Sequence, residues 1–271
     1  VMKLSLASWS LRGCTLKEAA GLSSVLGIGA LDLGYFFRPA LDKAALVADP
    51  QRVADKVLGL GVELPNLYHL FGDNLADRNL ADPTHRAANE ADFRQVVRFA
   101  KQAGVPTVFV LPGVINRGQN RADALAASAE SLRHLVDIAG DGGITLTIEP
   151  HVHSYIETPT LVLDLLDRVP GLKLTLDYAH FVCLGYRQEE IDVLAPHAAH
   201  VHLRQARPGV LQSKLSLGTI NMGAMLGTLR AAGYDGYLTL EYVHQDYMDG
   251  LHDDVLTETI DLRDLVWEWL S

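Results

Sequence analysis

Cysteine is scarce: the 271 residues contain two, Cys14 and Cys183. So few exclude a disulfide-stapled scaffold and a cysteine-built zinc site, and both read as small buried hydrophobes. No cluster of Lys and Arg interrupts a formal net charge of −10. The electrostatic footprint of a protein that binds a phosphate backbone is therefore missing, and no nucleic-acid partner is expected. No apolar run reaches the ~18 residues of a membrane helix. The N-terminal stretch is strand-like from Lys3 to Trp9 and lacks signal-peptide architecture. The expectation is a soluble, cytoplasmic protein with no membrane partner. A glycine-rich phosphate fingerprint after the first strand is also lacking, which counts against a doubly wound nucleotide-binding sheet. Low-complexity segments and linkers are missing as well.

What the chain does have is a repeating rhythm of strand, loop, amphipathic helix and glycine. Glycines at 27, 61, 104, 171 and 233 stand where helices should end, since the residue after a helix often needs φ > 0. Asp49-Pro50, Asp82-Pro83 and Thr158-Pro159 each put a capping oxygen before a proline at a helix start. Buried stripes recur at helical spacing. One is Phe93, Val96, Val97 and Ala100; another is Leu125, Leu132, Leu135, Val136 and Ala139. The spacing predicts eight strands, at 3–9, 30–34, 62–68, 105–111, 144–149, 172–177, 199–204 and 236–242. Eight strand–helix units in a chain near the ~250 residues typical of the class predict an α/β fold, a single (β/α)8 TIM-barrel domain spanning 1–271. An open doubly wound sheet is the second choice.

Four short stretches carry the chemistry: Thr145 to Glu149, Thr175 to Asp177, His200 to His202 and Thr239 to Glu241. Each alternates polar and apolar residues and ends in a side chain able to bind metal, so the polar members share one face of a strand. In a parallel barrel the strands' C-terminal ends all open at one mouth. Glu149, Asp177, His202 and Glu241 can therefore converge there. Three carboxylates and an imidazole make an oxygen-rich site for a hard divalent cation, and burying those carboxylates without a partner would be costly. A cation holding a carbonyl oxygen and its neighbouring hydroxyl would stabilise an enediolate, while carboxylates on either side move the proton.

These runs, with Thr147-Ile-Glu-Pro-His151, Leu174 to Phe181, His200 to Leu203 and Gly233 to Glu241, resemble the xylose isomerase-like barrels. That group comprises sugar isomerases and epimerases and also the endonuclease IV-type nucleases. The resemblance implies one divalent ion, with Mn²⁺ the first choice and Mg²⁺, Co²⁺ or Zn²⁺ as alternatives, bound by Glu149, Asp177, His202 and Glu241. It implies that Glu149 and Glu241 move the substrate proton and that His180 binds a substrate oxygen. The implied activity is a metal-dependent isomerase or epimerase acting through a metal-bound enediolate on a small, carbohydrate-like carbonyl compound. Alternatives are a lyase or dehydratase on a keto-inositol or 3-keto sugar, a nuclease, and a non-catalytic sugar-binding barrel. The nuclease branch needs further histidines and an Asp-x-His pair, for which Val110-Leu-Pro112 and the stretch from Gly218 to Met222 offer no match.

Further substrate-binding candidates are Arg204, which shares the inward phase of His202, His151 beyond Glu149, His69 closing strand three, and Trp9 ending strand one. Tyr35, Phe36 and Phe37 follow strand two and could wall the mouth with aromatic rings. Trp267-Glu-Trp269 reads as the docking face of the last helix, with a homo-oligomer interface as the lesser alternative.

Overall fold

The computed structural model describes residues 1–244 and 254–271. Asp246 and His252, close to the last predicted strand, lie outside the described residues. Eight strands form the barrel: β1 (Lys3–Ala7), β2 (Leu31–Asp32), β3 (Asn66–His69), β4 (Thr107–Val110), β5 (Thr145–Ile148), β6 (Lys173–Asp177), β7 (Ala198–Leu203) and β10 (Tyr237–Leu240). A small antiparallel pair, β8 (Gln205–Arg207) and β9 (Val210–Ser213), is inserted after β7. All eight barrel strands overlap the predicted ranges and none is longer than predicted, though β3 ends one residue later and β7 begins one residue earlier. Parallel ladders run in the order β2, β1, β10, β7, β6, β5, β4, β3. Two isolated bridges, Ala30 to Glu63 and Leu33 to Leu67, join the outer strands and close the ring.

The departures have local causes. Pro65 has no N–H to give a ladder, so the third strand is reduced to a bridge at Glu63 and begins properly only at Asn66. The first strand stops at Ala7 because Ser8–Ser10 tighten into a 3-10 turn closed by Leu11 N–H on Ser8 O. All three proline-linked caps form: Asp49 accepts from Arg52 N–H, Asp82 from Thr84 N–H and Thr158 from Leu161 N–H. Asp82 caps a 3-10 turn, Pro83–His85, that leads into the helix Arg86–Ala103. Gly104 ends that helix at φ 71°, a conformation an L side chain adopts only with strain.

Period two sorts each strand into two faces. Outward aliphatics such as Leu6, Val108, Val110, Leu146, Ile148, Leu174, Leu176, Val201, Leu238 and Leu240 are buried in one core with the helix stripes of Phe93, Val96, Leu125, Leu132 and Leu135. Burying each is worth roughly 1.5–3 kcal/mol. The inward face is polar: Ser5, Asp32, Asn66, Thr107, Thr147, Thr175, His200 and Thr239 are all buried, one from each strand. They pair with one another. Asp32 Oδ1 accepts from Ser5 Oγ at 2.6 Å, Asp32 Oδ2 accepts from Asn66 at 3.2 Å, and Thr107 donates to Asn66 Oδ1 at 2.8 Å. His200 Nε2 lies 2.7 Å from Asp32 Oδ2 and 2.8 Å from Thr239 Oγ1. The Asp32–His200 contact joins β2 to β7 through the barrel's interior. Among the described residues no helix is long and apolar enough to cross a membrane.

Candidate active site

Register sets the site. Asp177 pairs in the ladder with His202, and His202 with Thr239, so the ends of β6, β7 and β10 stand level. Glu149 and Glu241 each follow the last residue of a strand, and one further backbone bond holds each in line: Glu149 N–H on Val110 O and Glu241 N–H on Leu203 O. All four expected metal-binding residues are buried, from 1% exposed for Asp177 and His202 to 6% for Glu241.

Three of them gather tightly. His202 Nδ1 is 2.7 Å from Glu149 Oε1 and 3.3 Å from Glu241 Oε2, and ligand atoms of Glu149, His202 and Glu241 all lie within 4.8 Å of one another. Glu241 Oε1 accepts from the Trp9 indole N–H at 2.8 Å, whereas Glu241 Oε2 and His202 Nε2 are buried without a hydrogen-bond partner. Buried polar atoms in native proteins are normally satisfied. The Glu241 Oε2 orphan, on the same side as Glu149 and the His202 Nδ1 edge in an oxygen-rich donor set, fits a divalent cation; the Nε2 orphan is on the other edge of the ring, toward Asp32.

Asp177 stands differently. Its Oδ1 accepts from Ala179 N–H at 2.8 Å, and its Oδ2 accepts from Arg204 Nε at 2.9 Å and Nη2 at 2.6 Å. A carboxylate has about four acceptor positions, so these three bonds leave room for one more. Arg204 Nη2 also lies 3.6 Å from Glu241 Oε2 and 3.0 Å from His180 Nε2. The guanidinium therefore bridges the carboxylates, bringing Arg204 to the cluster as its phase with His202 predicted.

Electrostatics follow from burial and these neighbours. Burial pushes Glu149 up to about 7; His202 opposes the shift, and the Glu241 and Asp177 charges add to it. Burial acts on Glu241 in the same direction, but His202 and Arg204 outweigh it and bring the carboxyl down to about 2. Asp177 is raised by burial, with Arg204 opposing. For His202, burial disfavours the charged ring, yet Glu241, Glu149 and Asp32 carry it well above the ordinary histidine value. His180 is held well below that value by burial and by His151 and Arg204. Burial brings His151 down to about 4. Of the two carboxyls beside the imidazole, burial thus raises Glu149 while charged neighbours lower Glu241.

The cavity above the cluster has a volume of about 210 Å³ and is lined by Trp9, Phe36, Phe37, Tyr68, Glu149, His151, Arg204, Glu241 and Val243. Trp9 meets Phe36, Tyr68, Phe109 and His202 through tilted or edge-on ring contacts, and Tyr68 stacks on Phe109 at 4.3 Å. The aromatic wall expected from Trp9, Phe36 and Phe37 is therefore present. His180 sits behind His151, ring centroids 4.2 Å apart. Its Nδ1 accepts from Val152 N–H, and its Nε2 lies 4.0 Å from Glu149 Oε2.

Two expectations need correction. His69 does not reach the cavity. It is on the outward face of β3, its Nδ1 3.0 Å from the Tyr35 hydroxyl and its ring packed against Phe71 and Phe93. Tyr68, its neighbour on the inward face, lines the mouth instead. Tyr35 leaves the wall for the same reason. Asp32 is a buried acidic residue of the inward face that the expected site does not include; the sequence marks it only as an acid between Leu31 and Leu33, in the polar phase of a strand.

His69 has its own consequence. Burial, with Lys43 and Arg78 adding, lowers its pKa to about 3, against ~6.5 in an unfolded chain. Between those values the unfolded state binds more protons, so stability present above the higher one is lost as the pH falls toward the lower. From about pH 7 to about pH 5, His69 is expected to cost about 2 kcal/mol. Urea unfolding at both pH values should show His69→Gln losing less stability on acidification than wild type. Equal losses would assign the effect elsewhere.

Comparison with known proteins agrees with this architecture. The family model described as "Xylose isomerase-like TIM barrel" matches residues 22–261. A human protein named "Putative hydroxypyruvate isomerase" is 28% identical over 185 residues, 63% of this chain and 66%, just under two thirds, of that one. In structure, an IOLI protein crystallised with a zinc atom superposes with a TM-score of 0.78 at 18% identity, covering 100% of both chains. D-psicose 3-epimerase with D-tagatose from Clostridium cellulolyticum H10 superposes with a TM-score of 0.76 at 17% identity, again over 100% of both.

Proposed function

Because the chain belongs to the xylose isomerase-like TIM barrel family, we propose that it is a divalent-metal-dependent isomerase or epimerase of a small polyhydroxy carbonyl compound. The observation that carries this reading is the buried trio of Glu149, His202 and Glu241, with an orphaned carboxylate oxygen, Glu241 Oε2, in it and an apolar-walled cavity above. Glu149, His202 and Glu241 would hold the ion, with Asp177 as fourth donor. Mn²⁺ is the first candidate, and Mg²⁺, Co²⁺ and Zn²⁺ suit the same donors. When bound, the ion supplies Lewis-acid stabilisation of negative charge on a substrate oxygen.

The chain's own residues supply the rest. Glu149, at the cavity and beside the expected ion, is the base that takes the proton beside the carbonyl; burial raises its carboxyl and a bound cation would lower it. Glu241 is the second proton carrier, and the Trp9 indole fixes the direction of its carboxyl. His180 and Arg204 hold substrate oxygens, and His151 lies alongside them. Trp9, Phe36, Phe37 and Tyr68 cover the apolar side of the substrate and exclude water, which strengthens the electrostatics within. A cavity of about 210 Å³ is below the ~300–1,000 Å³ of ordinary ligand pockets, so the substrate is a compound of few carbons.

Exchange of carbon-bound hydrogen with D₂O reports the first step whatever the product. Incubating the Mn²⁺-loaded protein with a panel of small ketoses, aldoses and hydroxy-keto acids is expected to give deuterium incorporation with no change in carbon skeleton. Loss of water or of a leaving group would make the enzyme a lyase on the same site. No exchange across the panel would leave a binding barrel instead.

A further inference from the structure

Asp32 is fully buried at the end of β2, on the opposite side of the barrel from the metal-capable carboxylates' histidine. Its Oδ2 accepts from Asn66 and lies 2.7 Å from His200 Nε2. The next group along is the orphaned Nε2 of His202, 3.8 Å from that same oxygen. His202 thus has two unlike sides. Its Nδ1 faces Glu149 and Glu241 at 2.7 and 3.3 Å, and its Nε2 faces Asp32 in the barrel interior. The His200 ring stands edge-on to the His202 ring at 89°, with centroids 5.4 Å apart, and blocks its rotation on that side. Phe109 and Trp9 do the same from above at 5.1 and 6.0 Å.

We propose that Asp32 is the positioning residue of the site. It faces His202 Nε2–H across the barrel interior, keeps the proton on that nitrogen, and leaves the Nδ1 lone pair directed at the ion. This rests on the metal-dependent reading above. The physical reason is that a histidine ligand must present a lone pair on one nitrogen, and a carboxylate beside the other nitrogen fixes both ring orientation and tautomer. Asp32 can serve because Ser5, Asn66 and His200 hold it fixed at the centre of the polar interior. A carboxylate on β2 and a ring on β7 are thereby coupled through the barrel interior.

Two measurements test this, neither of them turnover. In protein labelled with ¹⁵N-histidine, the Nε2–H signal of His202 is expected to persist when Zn²⁺ is added, while Nδ1 moves to a metal-bound shift. Loss of the Nε2 proton on loading, or metal on Nε2, would overturn the proposal without a variant being made. Titration with Mn²⁺ should then show Asp32→Asn binding about 10–100-fold more weakly than wild type, and Thr147→Val, an interior change whose hydrogen bonds go to Val108 and Thr175 rather than to Asp32 or His202, binding within a few-fold of wild type. Equal losses in both variants, or wild-type affinity in Asp32→Asn, would reduce Asp32 to a structural role. A wild-type protein that binds neither Zn²⁺ nor Mn²⁺ would sink the metal reading itself. In that outcome the Nε2–H signal of unloaded wild type is compared with that of Asp32→Asn: its loss or faster exchange in the variant supports the hold, and an unchanged signal overturns it.

Discussion

Glu149→Gln should lower the rate of hydrogen exchange between substrate and D₂O by about 10²–10⁴-fold, the usual contribution of a positioned general base. The amide fills the same space, and its oxygen still accepts from His202. It removes a buried charge that burial already disfavours. Thermal unfolding is therefore expected at or above the wild-type temperature. Glu149 is also an expected ligand, so metal content must be measured on the same sample. Lost exchange with metal retained identifies the base; lost exchange with lost metal identifies the ligand. Retained exchange removes Glu149 from the chemistry altogether.

Chelation has the second large expected effect. Removing divalent ions with EDTA should bring turnover to background, and Mn²⁺ should restore it. The same titration should raise the unfolding temperature. The three carboxylates converge on one imidazole and one guanidinium, and an ion at 100-fold over its dissociation constant stabilises the folded state by about 2.7 kcal/mol. Undiminished turnover in metal-free protein would exclude the Lewis-acid role and leave Glu149 and Glu241 as a metal-independent proton pair.

Much of this was legible in the chain because a barrel repeats one rule eight times. Inward and outward residues alternate, helices carry one apolar stripe, and every functional stave ends at the same mouth. Glu149, His202, Glu241 and Arg204 follow from phase alone, and Trp9 from its place at a strand end. His69 did not follow, because Pro65 breaks the ladder and phase cannot be counted through it from Val62. Tyr68 and His69 are adjacent, so a one-residue error in phase exchanges cavity for core. The Arg204–Asp177 bond was hidden for another reason. Alternation puts Arg204 on the inner face, but three carboxylates stand within its reach, and only side-chain geometry chooses among them. Asp32 was overlooked because its main partner, His200, is 168 residues away and the strand that carries it has two residues.

The ring is secured by strand ladders except between β2 and β3, where two single bridges suffice. That junction behaves as a clasp. Opening it would separate Ala30 from Glu63 and Leu33 from Leu67 while leaving the remaining staves paired, and a junction with so few pairs is where local opening is expected first. Asp32 is in one half of the clasp and Asn66 in the other, joined by one 3.2 Å bond. Parting this seam would therefore loosen the hold behind His202, which ties the proposed support of the metal-capable cluster to a junction on the barrel's far wall.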